Sequence, residues 1–238
     1  MLSNLSPVVK NLLIINIICF VGSLIFEPAT RLFGVHYPDS PLFEIWQPIT
    51  YMFMHSTDGI FHIFFNMFAL VMFGSIIERV MGSKRFLNYY LICGFGALAL
   101  QYIVQAVELY SITGTISYKA SMIFDQSIGR FIPKNWPSMD REGVNTIVSI
   151  YNTSMVGASG AVVGLLLAFA YLFPNMPLYF MFIPVPIKAK YFVGAYLLIS
   201  IYLGFSNSGS SIAHLAHVGG ALFGYILIKV WGIKKGYY

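Results

Sequence analysis

Five stretches of this chain contain no Asp, Glu, Lys or Arg: 11–26, 59–77, 86–107, 143–187 and 191–228. An uncharged apolar run of about 20 residues is long enough to cross a hydrocarbon core of about 30 Å as a helix. The last two stretches are too long for single spans. In the fourth, Asn145, Thr146, Ser149, Asn152, Thr153 and Ser154 put the helix start near Gly157, and Pro174 ends it. In the fifth, Ser206-Asn207-Ser208-Gly209-Ser210-Ser211 reads as a tight turn between two spans. Six helices are expected, at about 8–26, 59–78, 86–107, 157–173, 190–206 and 211–231. The first apolar run leads into Glu27-Pro28 without a small-residue cleavage site, so it is read as a span, not a cleaved signal.

Composition excludes an ordinary soluble domain. Only 10% of the 238 residues are charged and 58% are hydrophobic, against about 25% charged in soluble proteins, so part of the surface must face lipid. The fold expected is all-α: one compact six-helix membrane domain filling residues 1–238. The net charge of +5 is a topology signal, because no basic run exceeds Lys234-Lys235 and nucleic acid is not an expected partner. With the N-terminus in the cytoplasm, nine of the 14 Lys and Arg fall inside: Lys10, Arg79, Lys84, Arg85, Lys188, Lys190, Lys229, Lys234 and Lys235. Arg31, Lys119, Arg130, Lys134 and Arg141 fall outside, four of them in the long segment 108–156, which weighs little. N-in, C-in is the expected orientation. Cys19 and Cys93 both lie in apolar runs and read as buried or lipid-facing residues.

Polar side chains within spans are expensive unless satisfied, so each is a candidate for function. His62 and Asn66 stand four residues apart, on one face of the second helix. Ser159 lies in the first turn of the fourth, where unpaired N–H groups and the helix dipole favour negative charge. His214 and His217 lie on the sixth, without the carboxylates or further histidines of a metal site, so no metal and no cofactor are expected. Gly160-x-x-x-Gly164 and Gly220-x-x-x-Gly224 are small-residue seams that permit close helix contact. If these seams meet, Ser159 and His217 come within reach of each other, and a Ser–His dyad follows, with no acidic residue near enough in sequence to His217 to orient it. The Ser159 N–H with the His62 and Asn66 side chains would supply the oxyanion site. His36, His55 and His214 are assigned structural roles.

The pieces His62-x-x-x-Asn66, Glu78-Arg79-Val80-Met81-Gly82-Ser83-Lys84-Arg85-Phe86, Gly157-Ala158-Ser159-Gly160 and Ala216-His217-Val218-Gly219-Gly220, in this order on the second, fourth and sixth spans, resemble the rhomboid family of intramembrane serine proteases. The resemblance covers about residues 46–224. It implies Ser159 as nucleophile, His217 as base, and His62 and Asn66, with Gly157, on the oxyanion side. It also implies lateral access near the fifth helix and cleavage of single-pass membrane proteins near the outer end of their span, with the active site facing the outer side of the plasma or inner membrane. The alternative is an inactive member of the same fold that binds spanning helices for quality control. Partners beyond such helices and the bilayer, and the oligomeric state, are left open.

Two positions depart from the family pattern. Trp46-Gln47 stands where many members carry Trp-Arg, leaving Glu44 and Arg31 as candidates to brace the first external loop. Val163 stands where many carry an aromatic that packs on the histidine, so His217 is expected to be held more loosely than in those members.

Overall fold

The structure, a computed structural model, describes residues 5–180, 183–205 and 211–234. Helices occupy the expected stretches: α1 (Pro7–Ile25), α2 (Phe61–Met81), α3 (Ser83–Thr113), α5 (Ser159–Leu172), α6 (Ala189–Phe205) and α7 (Ser211–Val230), with α4 (Arg141–Asn152) outside that set. Among the described residues, α1, α2 and α3 are long and apolar enough to cross a membrane, while the apolar helices Ser159–Leu172, Ala189–Phe205 and His214–Val230 are shorter. The turn expected at 206–211 falls largely outside the described residues.

Local chemistry fixes the ends. α1 starts on Pro7, which lacks the N–H that a first turn cannot pair, and the Glu78 carboxylate takes the next two, Val8 N–H at 3.0 Å and Val9 N–H at 2.9 Å. Glu78 also accepts from the Ser83 hydroxyl at 2.7 Å, so one buried carboxylate joins α1, α2 and α3. Gly82, at φ +77°, makes the one-residue corner between α2 and α3. Within α2, residues Leu70–Gly74 form a turn of π-helix. α3 runs 31 residues instead of the expected 22, because Ser83–Arg85 and Glu108–Thr113 continue the helix beyond the apolar run; lack of apolarity does not stop a helix, and Gly114 at φ +73° does.

The long segment before Gly157, where no span was expected, is structured. Strands β1 (Met122–Asp125) and β2 (Arg130–Pro133) pair antiparallel with Phe124 opposite Phe131. Asp140 caps α4 by accepting from Gly143 N–H at 2.9 Å. α4 turns Ile147, Ile150 and Tyr151 onto Leu109, Met122 and Tyr37 to form a small core beside the C-terminal end of α3. A second hairpin, β3 (Pro177–Phe180) with β4 (Ile183–Lys188), links α5 to α6, where no strand was expected.

The seam glycines meet, but α3 takes part. A Cβ on Gly220 would run into the Gly160 carbonyl, one on Gly160 into Ala97, one on Gly164 would lie 2.5 Å from Cys93 Sγ, and one on Gly224 would strike the Tyr89 hydroxyl. Tyr89 also donates to the Gly164 carbonyl at 2.8 Å. α5 and α7 therefore close on α3 as well as on each other, and fully buried Cys93 fills the join.

Candidate active site

The chain that leads to Ser159 is fastened to the segment between α1 and α2 at three points. Val35 and Met155 exchange backbone bonds of 2.9 Å in each direction, the Ser154 hydroxyl donates to the Thr30 carbonyl at 3.2 Å, and Gly157 N–H donates to the Tyr51 carbonyl at 2.9 Å. Gly157 then turns at φ +125°, a conformation that side chains disfavour, and α5 begins at Ser159. The Gly157 N–H is thus occupied; the N–H groups of the first turn of α5 have no carbonyl within their own helix to meet.

His217 Nε2 lies 2.9 Å from Ser159 Oγ. A hydroxyl facing an imidazole nitrogen at this distance can pass its proton to it when that nitrogen carries the lone pair. On the other side of Gly157 is His62: the point a Gly157 Cβ would occupy is 3.1 Å from His62 Nε2 and 3.6 Å from Ser159 Oγ. Asn66, buried, donates from Nδ2 to the His62 carbonyl at 3.0 Å, one turn back along α2. Ser159, His217, His62 and Gly157 thus gather at one spot, with Asn66 one turn below His62.

The remaining histidines border this group. His55, fully buried, sets its ring edge against His62 with centroids 5.2 Å apart. Burial, with His62 alongside, pushes the His55 imidazole down to about 4, so it is neutral. His214 meets His217 edge to face at 6.3 Å. His36 sits in the first loop, its Nε2 within 3.0 Å of the Arg31 carbonyl.

Neither Glu44 nor Arg31 braces that loop with its side chain; Gln47 itself does. It is 1% exposed, accepts from His36 N–H at 3.2 Å, and donates to the Leu42 carbonyl at 3.0 Å and the Leu32 carbonyl at 3.4 Å. A neutral amide suffices because everything it holds is backbone. Asp39 ties this loop to the segment after α3 and to α4: it accepts from the Tyr151 hydroxyl, from Ser117 Oγ at 2.8 Å, and from the N–H groups of Tyr118 at 2.8 Å and Lys119 at 2.9 Å. Burial alone would raise this carboxyl, but these bonds together hold it below the usual carboxylate range.

One residue at the site had no counterpart in the sequence reading. Tyr196, on α6, places its hydroxyl 2.9 Å from His217 Nδ1. A tyrosine four residues before a serine, Tyr196 and Ser200, on an otherwise apolar helix is the signal that marks it. Val163, the position expected to leave His217 loose, is 3% exposed in the core.

The Rhomboid domain family matches residues 42–233 of this sequence. The chain is also 29% identical over 193 residues to the rhomboid protease GluP of Bacillus subtilis strain 168. That match takes in 81% of this chain and 27% of the relative, so the chain spans about a quarter of that protein's length.

Proposed function

The chain belongs to the rhomboid family, and from that membership we propose that it is an intramembrane serine endopeptidase with Ser159 as nucleophile and His217 as general base. It is a mostly helical integral membrane protein. One observation carries the reading: the 2.9 Å contact between His217 Nε2 and Ser159 Oγ, set in an apolar bundle where an idle polar pair is costly.

In this reading α1, α2, α3, α5, α6 and α7 are six spans of one membrane domain filling 1–238, with a core of about 46–224 and both termini in the cytoplasm. The excess of Lys and Arg at the inner ends supports this orientation. α5, at 14 residues, is about 21 Å long, short of a hydrocarbon core of about 30 Å. Ser159, at its outer end, then lies below the outer surface of the plasma or inner membrane.

His217 takes the Ser159 proton as the oxygen attacks a peptide carbonyl. The oxyanion forms beside the first-turn N–H groups of α5, His62 and Asn66. His217 returns the proton to the leaving amine, and water then opens the acyl-enzyme. Helical carbonyls are already hydrogen-bonded, so the scissile stretch must unwind. A single-pass protein with Gly, Ala, Ser or Pro near the outer end of its span is the substrate class. A non-catalytic helix-binding member has no use for a serine held against a histidine. The test is reconstitution in liposomes with a generic single-pass substrate: wild type cleaves and Ser159→Ala does not, whereas equal cleavage by both would overturn the proposal.

A further inference from the structure

A histidine that serves a serine as base must hold one of its two neutral tautomers. The Nε2 lone pair has to face Ser159, so the proton has to sit on Nδ1, and a buried N–H requires an acceptor. Carboxylates do this in Ser–His–acid triads. No Asp or Glu follows Glu142 in this chain, and the partner of Nδ1 is a phenol.

The Tyr196 contact is made through the hydroxyl, not the ring face. The two rings are 29° from parallel with centroids 6.2 Å apart, and the oxygen-to-nitrogen distance is 2.9 Å. Ser200, one helical turn further along α6 and 2% exposed, shares the buried stripe of α6 that carries Tyr196. The phenol oxygen has a lone pair for the Nδ1–H of His217, and with the imidazole in that tautomer Nε2 faces Ser159 as an acceptor.

The buried positions of α6, Ala189, Val193, Ser200 and Gly204, share one stripe, while Leu198, Tyr202 and Phe205 face outward. Tyr196 belongs to the inward stripe, so its bond to His217 on α7 forms only while α6 is seated.

Resting on the protease reading above, we propose that Tyr196 is the positioning residue of the dyad. Its phenol oxygen accepts the Nδ1–H of His217, keeps the Nε2 lone pair on Ser159, and makes the alignment of the base depend on the seating of α6. A neutral phenol orients the imidazole but stabilises its charged form less than a carboxylate would. The loss expected on removing it is therefore about tenfold in turnover, the scale of one neutral hydrogen bond. This residue also replaces the aromatic that Val163 lacks, from a different helix.

The opposite polarity is the competing arrangement. If Tyr196 donated its proton to Nδ1, Nε2 would carry the hydrogen and face Ser159 as a donor, useless as a base.

The experiment uses the full chain in detergent micelles and liposomes, with three readouts. A fluorophosphonate probe reports the reactivity of Ser159, a single-pass substrate gives kcat and KM, and nitrogen-15 NMR of histidine-labelled protein gives the tautomer of His217. Wild type should show the Nδ1-protonated form. Tyr196→Phe, which keeps the ring, should label and turn over about tenfold more slowly with KM and Tm unchanged, and should mix the two tautomers. Wild-type labelling, kcat and tautomer in a folded Tyr196→Phe protein would overturn the proposal. So would an Nε2-protonated His217 in wild type, a result that needs no variant and holds even if Tyr196→Phe fails to fold. Wild type that labels no faster than Ser159→Ala would instead overturn the protease reading, and the tautomer would still decide the bond.

Discussion

A β-carbon on Gly157 would stand 3.1 Å from Nε2 of His62, in a residue whose φ is +125°. Gly157→Ala is expected to meet both difficulties. The backbone would be strained by about 1–3 kcal/mol, and His62 would have to give way beside Ser159. Turnover should fall at least tenfold, with a lowered Tm. Purified protein assayed for cleavage and thermal unfolding checks this; wild-type values in both would mean that the turn before α5 has room to relax.

In the proposed mechanism, nucleophile and base act as one unit. Ser159→Ala and His217→Ala should each abolish cleavage, and the double variant should be hardly worse than either. The three rates, measured in one liposome preparation, give the answer; strictly additive losses would count against a shared step.

On the proposed oxyanion side, removal of one prearranged donor is worth roughly 10²–10³ in turnover. Asn66→Ala should show a loss of this order while keeping its fold, and so should His62→Ala. The Asn66 bond to the His62 carbonyl spans a single helical turn, so its loss disturbs little else. A folded Asn66→Ala enzyme with undiminished kcat would assign Asn66 to helix packing alone.

Asp39 predicts an acid-sensitive segment between α3 and α4. Its folded pKa lies below the ordinary value, which is about 3.9. Its contribution to stability is therefore complete above that value and is lost as pH falls through the folded one. The protection factors of the Tyr118 and Lys119 amides, exchange rates divided into the intrinsic rate at each pH, should be high at neutral pH and drop below about pH 4. In Asp39→Ala they should be low throughout, with stability reduced by about 1–2 kcal/mol, since water reaches the freed donors. Protection unchanged by the substitution would show that α4 holds the segment unaided.

Val163→Phe is expected to bring no gain in rate. Valine there is 3% exposed, and a larger ring would overpack the core by about 1–3 kcal/mol. His217 already has a partner in Tyr196. Kinetics and Tm of the variant distinguish this from a loosely held base, for which the rate would rise.

The helices were legible because freedom from charge and apolarity over a membrane thickness leave few alternatives, and their ends erred mainly where polar residues continue a helix, as at Glu108–Thr113. Ser159, His217, His62 and Asn66 stood out because polar groups are rare in such stretches. α4 was missed since Asn145, Thr146, Ser149 and Asn152 drew attention from Val144, Ile147, Val148 and Tyr151, which recur every three to four residues. The glycine pattern marked close approach, yet could not say that Cys93 and Tyr89 of α3 would occupy the grooves. Tyr196 is one of 16 tyrosines, and its partner lies on another helix, so only the fold could single it out.

The π turn at Leu70–Gly74 sets the phase of α2. Each residue of a regular helix advances the side chains by about 100°, and the wide turn absorbs one residue without that advance. Below it, Glu78 must face the start of α1; above it, His62 must face Ser159. The turn works as a rotary joint between two fixed bearings. A chain shortened by one residue there would wind as a plain helix, and it could seat its carboxylate or aim its imidazole, but not both.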